Sequence, residues 1–212
     1  MRYSSKEEAQ QDHIKNYRSN GVAKGKGTLY SSDYPRVKFI VDSIPENTKI
    51  LDVGCNAGTL GIHLLHKGCY VKGIDIVKDL VVKACRNGIY AFEGEAEYLH
   101  MFYDDEFDHV ICSEVLEHLY DPMPAIKEAY RVLKDGGKYI CTVPHPSSCM
   151  VEGGKGDYHQ LNFSMEILDT LLHRVFKKDS VTFVELPYQY DYCLVNNIDP
   201  KRPQWLGLEA IK

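Results

Sequence analysis

The sequence predicts an α/β fold in which a mainly parallel sheet is covered by helices on both faces. From residue 49 onward, short apolar strand patterns alternate with amphipathic helix patterns, which is typical of parallel sheets. Two of the predicted helices end in a glycine, at Gly68 and Gly88, as helices commonly do. The last two strand patterns have no helix between them, so we expect that pair to run antiparallel.

The predicted elements follow in a regular order along the chain. A polar helix at 6–19 precedes a glycine-rich segment, and apolar residues three and four apart predict a second helix at 34–44. The alternating part then begins with the strand "KILDV". Further strand patterns lie at 70–76, 89–94, 107–113, 138–144, 180–187 and 205–212, and further helix patterns at 58–68, 78–88, 121–137 and 164–176.

Composition restricts the class of protein. The length of 212 residues fits one domain with an ordinary core, or one domain plus a small lid. The formal charge of −5 argues against a nucleic-acid partner. We expect residues 1–34 to form an N-terminal helical lid and residues 35–212 the main domain, with a lid-like insertion near 187–204. Seven cysteines without a C-x-x-C pair favour reduced thiols in a cytoplasmic protein. No apolar run approaches the length of a membrane span, and the sequence leaves the oligomeric state open.

The stretch "ILDVGCNAGTLGIHL" at 50–64 joins the first strand to the next helix. Gly54 and Gly58 allow a sharp turn there and close approach of a ligand, and the helix that follows offers free N–H groups. In the dinucleotide fingerprint G-x-G-x-x-G a glycine stands where this chain has Asn56. Asn56 would crowd a pyrophosphate, and Asp52 would repel one but could bind an amine. The turn therefore indicates a nucleoside that carries an amino-acid-like tail.

Asp75 supplies the second indication of a nucleoside. It ends the second predicted strand, 21 positions after Gly54, where an acid accepts hydrogen bonds from ribose hydroxyls. NAD and other adenosine cofactors share that ribose, so Asp75 alone does not distinguish them.

Five segments in order resemble the class I S-adenosylmethionine-dependent methyltransferases. They are "LDVGCNAG", "VKGIDI", "EGEAEYL", "FDHVICSEVLEHL" and "LKDGGKYICTVPHP", and the resemblance covers roughly residues 35–185. It implies a Rossmann-like, doubly wound sheet of seven mostly parallel strands with the last strand antiparallel. It makes residues 35–212 a methyltransferase domain with S-adenosyl-L-methionine as its cofactor.

The resemblance also implies the cofactor contacts. The glycine turn would hold the methionine part, Asp75 the ribose, and Glu95 the adenine amino group. Ser113 would lie beside the sulfonium. The predicted cofactor-binding residues are Asp52, Gly54, Cys55, Asn56, Gly58, Asp75, Ile76, Glu95, Ala96 and Ser113.

The segment "SEVLEHL" at 113–119 carries the candidate chemistry. If it is helical, Glu114, Glu117 and His118 share one face, and with His159 they could hold a divalent ion such as Mg²⁺ or Mn²⁺. This arrangement resembles two metal-using branches of the family, the ubiquinone-pathway O-methyltransferases and the small-RNA 2′-O-methyltransferases. In the alternative reading no metal binds. His118 then acts as a base or positions the substrate, and the acids line the pocket floor.

We expect methylation of a small molecule, most readily at oxygen, with His118, Glu114, Glu117 and His145 as the catalytic candidates. His145 follows the fifth strand at the same edge of the sheet. Two alternatives are methylation of an RNA 2′-hydroxyl, which the negative charge disfavours, and a nucleoside-binding protein without catalysis. A dehydrogenase is disfavoured by Asn56.

Overall fold

The computed structural model describes residues 4–19, 34–148, 161–187, 199 and 202–212. These residues form one seven-stranded sheet with helices on both faces. The strands are β1 (Lys49–Val53), β2 (Tyr70–Asp75), β3 (Tyr90–Glu93), β4 (Phe107–Ser113), β5 (Leu133–Pro144), β6 (Val181–Pro187) and β7 (Pro203–Ile211). The helices are α1 (Lys6–Ser19), α2 (Pro35–Ser43), α3 (Thr59–His66), α4 (Lys78–Arg86), α5 (Met123–Val132) and α6 (Met165–Leu172), with 3-10 turns at Leu116–His118 and Lys178–Ser180.

The strand order is β3-β2-β1-β4-β5-β7-β6. β7 pairs antiparallel with both β5 and β6, whereas the pairs among β1 to β5 are parallel. The predicted fold class is therefore confirmed, including the antiparallel last strand. The order reverses between β1 and β4, and in such sheets ligands bind beyond the carboxyl ends of the strands at that reversal.

Two apolar clusters fill the space between the sheet and its helices. On one face α5 and α6 contribute side chains such as Ile126 and Leu168, each fully buried against β4 and β5. On the other face Ile40 of α2, Leu64 of α3 and Ala84 of α4 pack against β1 and β2. Because both faces are covered, β1 and β4 are buried along nearly their whole length.

The helix predicted at 121–137 is shorter than expected. It ends at Val132, and β5 begins at the next residue. The glycine pair that resembled a helix stop lies inside β5, because a Cβ on Gly137 would stand 2.6 Å from the backbone oxygen of Asp108 on β4. Gly137 thus permits close approach of two strands.

The predicted lids are only partly covered by the described residues. α1 forms at the predicted position, and Ala9 is the one buried side chain among those described on this helix. Most of the remaining 1–34 segment and of the insertion near 187–204 lies outside the described residues. No helix in the described part of the chain is long and apolar enough to cross a membrane.

Candidate functional site

A cleft opens at the carboxyl ends of β1, β2, β3 and β4, where the topology predicts a ligand site. It opens to solvent and is lined by residues at or just after the ends of all four strands. We call the part beside 94–97 the β3 end and the part beside 114–119 the β4 end. The lining residues are Gln10, Gly54, Ile74, Asp75, Ile76, Gly94, Glu95, Ala96, Glu97, Glu114, Val115, His118 and Leu119.

The turn after β1 brings Gly54 to the cleft. Gly54 has a positive φ of 75°, and the backbone N–H groups of Gly54 and Cys55 both donate to the carbonyl of Ile74 on β2. A Cβ at position 54 would stand 2.3 Å from Cγ2 of Val115. Both the backbone conformation and the neighbouring side chain therefore require glycine.

Other predicted residues of this turn do not line the cleft. The Cys55 side chain is buried in the core, where its sulfur lies against Gly73, and burial raises the pKa of its thiol. Gly58 faces Ile89 and begins α3. Asn56 has a positive φ of 51°, and its side-chain oxygen accepts from the N–H of Ala57. These three residues therefore shape the turn without lining the cleft.

Asp75 is held rigidly at the middle of the cleft. One carboxylate oxygen accepts from the backbone N–H of Asn56 and the other from that of Val77, each at 2.8 Å. Burial raises the pKa of Asp75, although these two hydrogen bonds oppose the rise. Each oxygen keeps a second lone pair, and Asp75 lines the cleft together with Ile76.

Asp52 lies beneath the turn and does not line the cleft. Its side chain is buried, with 3% relative exposure. Burial and the neighbouring charge of Asp75 raise its pKa to about 7, while the positive charge of Arg36 opposes the rise. Asp52 therefore changes its charge near neutral pH.

The segment after β4 does not form the helix on which the metal interpretation depended. Glu114 has a positive φ of 58°, and only Leu116–His118 form a 3-10 turn. The Glu114 carboxylate accepts from Thr142 Oγ1 at 3.1 Å and from Trp205 Nε1 at 3.0 Å. Burial raises its pKa. Its two oxygens are thus bound to side chains of β5 and β7.

Glu117 and His118 lie side by side at the β4 end. Glu117 is 1% exposed, and neither of its oxygens has a hydrogen-bond partner among the described residues. His118 Nε2 lies 3.8 Å from Glu117 Oε1. Burial first, and the nearby Glu114 second, raise the pKa of Glu117 well above its usual range. Of the two, only His118 lines the cleft.

The described residues contain no group of three His, Cys, Asp or Glu side chains arranged to hold a metal ion. His159, the fourth predicted ligand, lies outside the described residues. The structure thus does not bring together Glu114, Glu117 and His118 as a metal site.

Arg36 is a site residue that the sequence analysis missed. From the first turn of α2 its Nη1 donates to Ser113 Oγ at 2.5 Å, and Ser113 Oγ lies 2.9 Å from Thr142 Oγ1. Ser113 is therefore part of a polar network behind the cleft, and it does not line the cleft itself. The available signal was an arginine directly before the apolar positions of the α2 helix pattern.

α1 supplies a second group that was missed, at the β3 end. Lys6 Nζ lies 2.8 Å from a Glu95 oxygen and 3.3 Å from a Glu97 oxygen. Gln10 lines the cleft beside Glu95 and Ala96. The polar composition of α1 gave no indication of these partners.

His145 does not line the cleft. Its Nδ1 accepts from the backbone N–H of Ser147 at 3.0 Å, and its Nε2 lies 3.6 Å from a Glu185 oxygen on β6. These contacts fix the loop after β5, and they place the ring two strands away from β1.

Comparison with known proteins agrees with this architecture. Residues 51–141 match the family model described as "Methyltransferase domain". A protein of Hydrogenovibrio crunogenus named ubiquinone biosynthesis O-methyltransferase is 36% identical over 121 residues, which cover 52% of this chain and 49% of that protein. The chain thus spans about half the length of the curated relatives it matches.

Solved structures share the fold over most of the chain. One is a Thermotoga maritima methyltransferase described as a possible histamine N-methyltransferase, with a TM-score of 0.71, 18% identity and coverage of 97% of this chain and 99% of the other. Another is phosphoethanolamine N-methyltransferase 2 of Haemonchus contortus in complex with S-adenosyl-L-methionine, with a TM-score of 0.70, 13% identity and coverage of 94% and 57%. The chain therefore shares the fold of these methyltransferases, and its residues 51–141 resemble a methyltransferase domain, as its motifs predicted.

Proposed function

We propose that this protein uses S-adenosyl-L-methionine to methylate a small molecule at an oxygen atom. The observation that carries the proposal is the order of groups along one cleft. A fixed acceptor, Asp75, stands at its middle, and an imidazole beside a buried acid, His118 with Glu117, stands at its β4 end. A nucleoside site thus adjoins a group that can take up a proton.

The residues of the cleft fit the nucleoside cofactor. Asp75 ends β2 and keeps one lone pair on each oxygen for a pair of ribose hydroxyls. The β3 end, with Glu95 and Ala96, would then take the base. The turn at Gly54 would take the amino-acid tail, and an ionised Asp52 behind it would attract the ammonium group of that tail.

When bound, the cofactor supplies a methyl group already activated on a sulfonium, so the protein mainly aligns the acceptor and excludes water. A hydroxyl acceptor must also lose its proton. His118 is placed to take that proton, because it lines the cleft. The Glu117 carboxyl lies 3.8 Å from the His118 ring. If Glu117 ionised, its negative charge would stabilise the imidazolium that forms.

We prefer a base to a divalent metal because the Glu114 carboxylate already has hydrogen-bond donors on both oxygens. Its oxygens accept hydrogen bonds from Thr142 and Trp205, and coordination of Mg²⁺ or Mn²⁺ would compete with those bonds. The metal alternative is testable with a chelator.

Charge supports a small acceptor over an RNA. The described lining of the cleft includes four acids and neither lysine nor arginine, and the whole chain has a charge of −5. A polyanion would be repelled by such a surface. The curated relatives named as ubiquinone biosynthesis O-methyltransferases agree with oxygen as the acceptor atom.

Two measurements test the proposal. Calorimetric titration should detect binding of S-adenosylhomocysteine and none of NAD; the opposite preference would support a dehydrogenase. A panel of phenols, sugars and amines with methyl-labelled cofactor should then yield a labelled phenol or alcohol product. Labelling of amines alone would overturn the choice of oxygen. Cofactor binding without labelling of any acceptor, including RNA, would favour a nucleoside-binding protein without catalysis.

A further inference from the structure

The β3 edge of the sheet carries exposed apolar side chains on an open strand. β3 is the outermost strand, and in the described sheet it pairs with β2 alone. Tyr90 is 63% exposed, and Phe92 of the same strand and Val82 of α4 are exposed as well. We propose that this edge is the interface of a symmetric homodimer, in which the β3 strands of two copies pair antiparallel with Ala91 opposite Ala91.

The backbone of β3 offers hydrogen-bonding groups to a further strand. Successive residues of a strand direct their N–H and C=O groups to alternate sides. The N–H of Gly94 donates to the carbonyl of Asp75 on β2 at 3.0 Å, so Ala91 and Glu93 direct theirs to the open edge. The exposed thiol of Cys85 on α4 lies 3.5 Å from the Ala91 carbonyl oxygen, as this direction requires. Such an edge can accept another strand.

Two copies of β3 complement each other about a two-fold axis. Ala91 of each copy can exchange both of its backbone hydrogen bonds with Ala91 of the other. The N–H of Glu93 can then donate to the C=O of Ile89 in the second copy. The N–H of Ile89 already donates to the carbonyl of Ala84 at 3.1 Å, so its C=O is the group that this pairing uses.

The aromatic side chains favour this register on one face of the sheet. Phe92 packs against Phe102, with ring centroids 5.8 Å apart, and Tyr90 projects on the same face because it is two residues away. In the dimer Tyr90 of each copy stands opposite Phe92 of the other, and cross-strand aromatic pairs stabilise a sheet. A register centred on Phe92 would oppose Tyr90 to Gly94 and lose both pairs.

Charges are complementary on the other face. Ala91 packs there against the cluster that includes α4, and Glu93, two residues later, projects on the same side. α4 ends at Arg86, three residues before Ile89, and both Glu93 and Arg86 are exposed. Since Glu93 stands opposite Ile89 of the second copy, it approaches Arg86 of that copy. The two-fold axis therefore creates two ion pairs, which fix the register.

The α4 helices of the two copies also meet across the axis. Val82 and Cys85 are three residues apart and so share one side of α4, and the contact between Cys85 and Ala91 shows that this side faces the edge. α4 packs over both β2 and β3. With strands about 4.8 Å apart, the two helix axes would lie about 10 Å apart, which is a normal distance for packed helices. Val82, which is 42% exposed, would be covered there.

Sedimentation equilibrium of the full chain tests the dimer without substrate or cofactor. The wild-type protein should dimerise as its concentration rises. Glu93→Arg and Arg86→Glu should each raise the dissociation constant of the dimer by at least about tenfold, because each opposes like charges twice. The double variant Glu93→Arg/Arg86→Glu should restore dimerisation. Glu166→Arg, at an exposed position of α6, is the matched control and should leave the dissociation constant unchanged.

Cross-linking tests the same register without a change of charge. Each Cys85 thiol lies beside Ala91 and therefore near the two-fold axis, so a short bismaleimide should join the two copies through this residue. Cys85→Ser should abolish the cross-link and leave the dissociation constant unchanged. A monomer at every concentration would overturn the proposal. So would a dimer that ignores both charge reversals, a double variant that fails to recover, or a cross-link that persists in Cys85→Ser.

Discussion

Replacement of Asp52 by asparagine should stabilise the protein, and the gain should grow with pH. Asp52 is 3% exposed, and its pKa is raised to about 7 by burial and by Asp75. In the unfolded chain the same carboxyl ionises near pH 4. Between these values the folded state keeps a proton that the unfolded state releases, so stability falls as pH rises through this window. Above the folded pKa the loss is complete and constant.

The size of the effect follows from the pKa difference. About three units at about 1.4 kcal/mol each give a cost of about 4 kcal/mol at pH 8, and about one unit gives about 1.5 kcal/mol at pH 5. Asparagine has nearly the same shape and carries no charge, so Asp52→Asn removes the cost at every pH. Its advantage over wild type should therefore increase by about 2–3 kcal/mol between pH 5 and pH 8.

Urea unfolding at several pH values measures this advantage directly. Asp135→Asn, at an exposed position of β5, is the matched control and should leave the stability nearly unchanged. A constant difference for Asp52→Asn across the same range would refute the reasoning, since it would mean that Asp52 ionises alike in both states.

Three further outcomes are expected. Asp75→Ala should weaken S-adenosylhomocysteine binding by about 1–3 kcal/mol in calorimetry through loss of charge-assisted hydrogen bonds; an unchanged affinity would remove Asp75 from the ribose site. His118→Ala should slow methyl transfer by about 10²–10⁴-fold while EDTA leaves the wild-type rate unchanged. Loss of activity with EDTA and its return with Mg²⁺ or Mn²⁺ would instead establish the metal alternative. Gly54→Ala should lower the free energy of unfolding in urea by about 2 kcal/mol or more, because a Cβ there meets Val115. The double variant Gly54→Ala/Val115→Ala should lose less free energy of unfolding than the two single variants lose together. Simple additivity would show that the steric contact is unimportant.

The fold could be predicted from the sequence because the patterns that indicate strands and helices are local in the chain. Periodicity located each strand and helix, and the missing helix before β7 predicted its antiparallel pairing. Asp75 and Gly54 were also found from the sequence, because a strand end and a turn place them at the cleft whatever the rest of the chain does. The largest boundary error, at 121–137, arose because a glycine pair serves a helix end and a close strand contact equally well.

The chemistry of the β4 end could not be predicted in the same way. The shared face of Glu114, Glu117 and His118 assumed a helix, but the left-handed conformation of Glu114 turns its carboxylate toward Trp205, 91 residues later. Arg36 and Gln10 reach the site from helices that precede the sheet in the sequence. Such pairings depend on tertiary packing, and no spacing rule along the chain reports them.

The hydrogen bond from Trp205 to Glu114 has a consequence for the order in which the molecule is assembled. β7 lies between β5 and β6, so β6 has no neighbour in the sheet until residues 203–211 have been synthesised and paired. Until then a buried carboxyl at the floor of the cleft also lacks one of its donors. A nascent chain halted before residue 203 could fold its first five strands and would still present an unfinished floor. Completion of the cleft floor would thus depend on the pairing of β7 with β5, after β1 to β5 have formed.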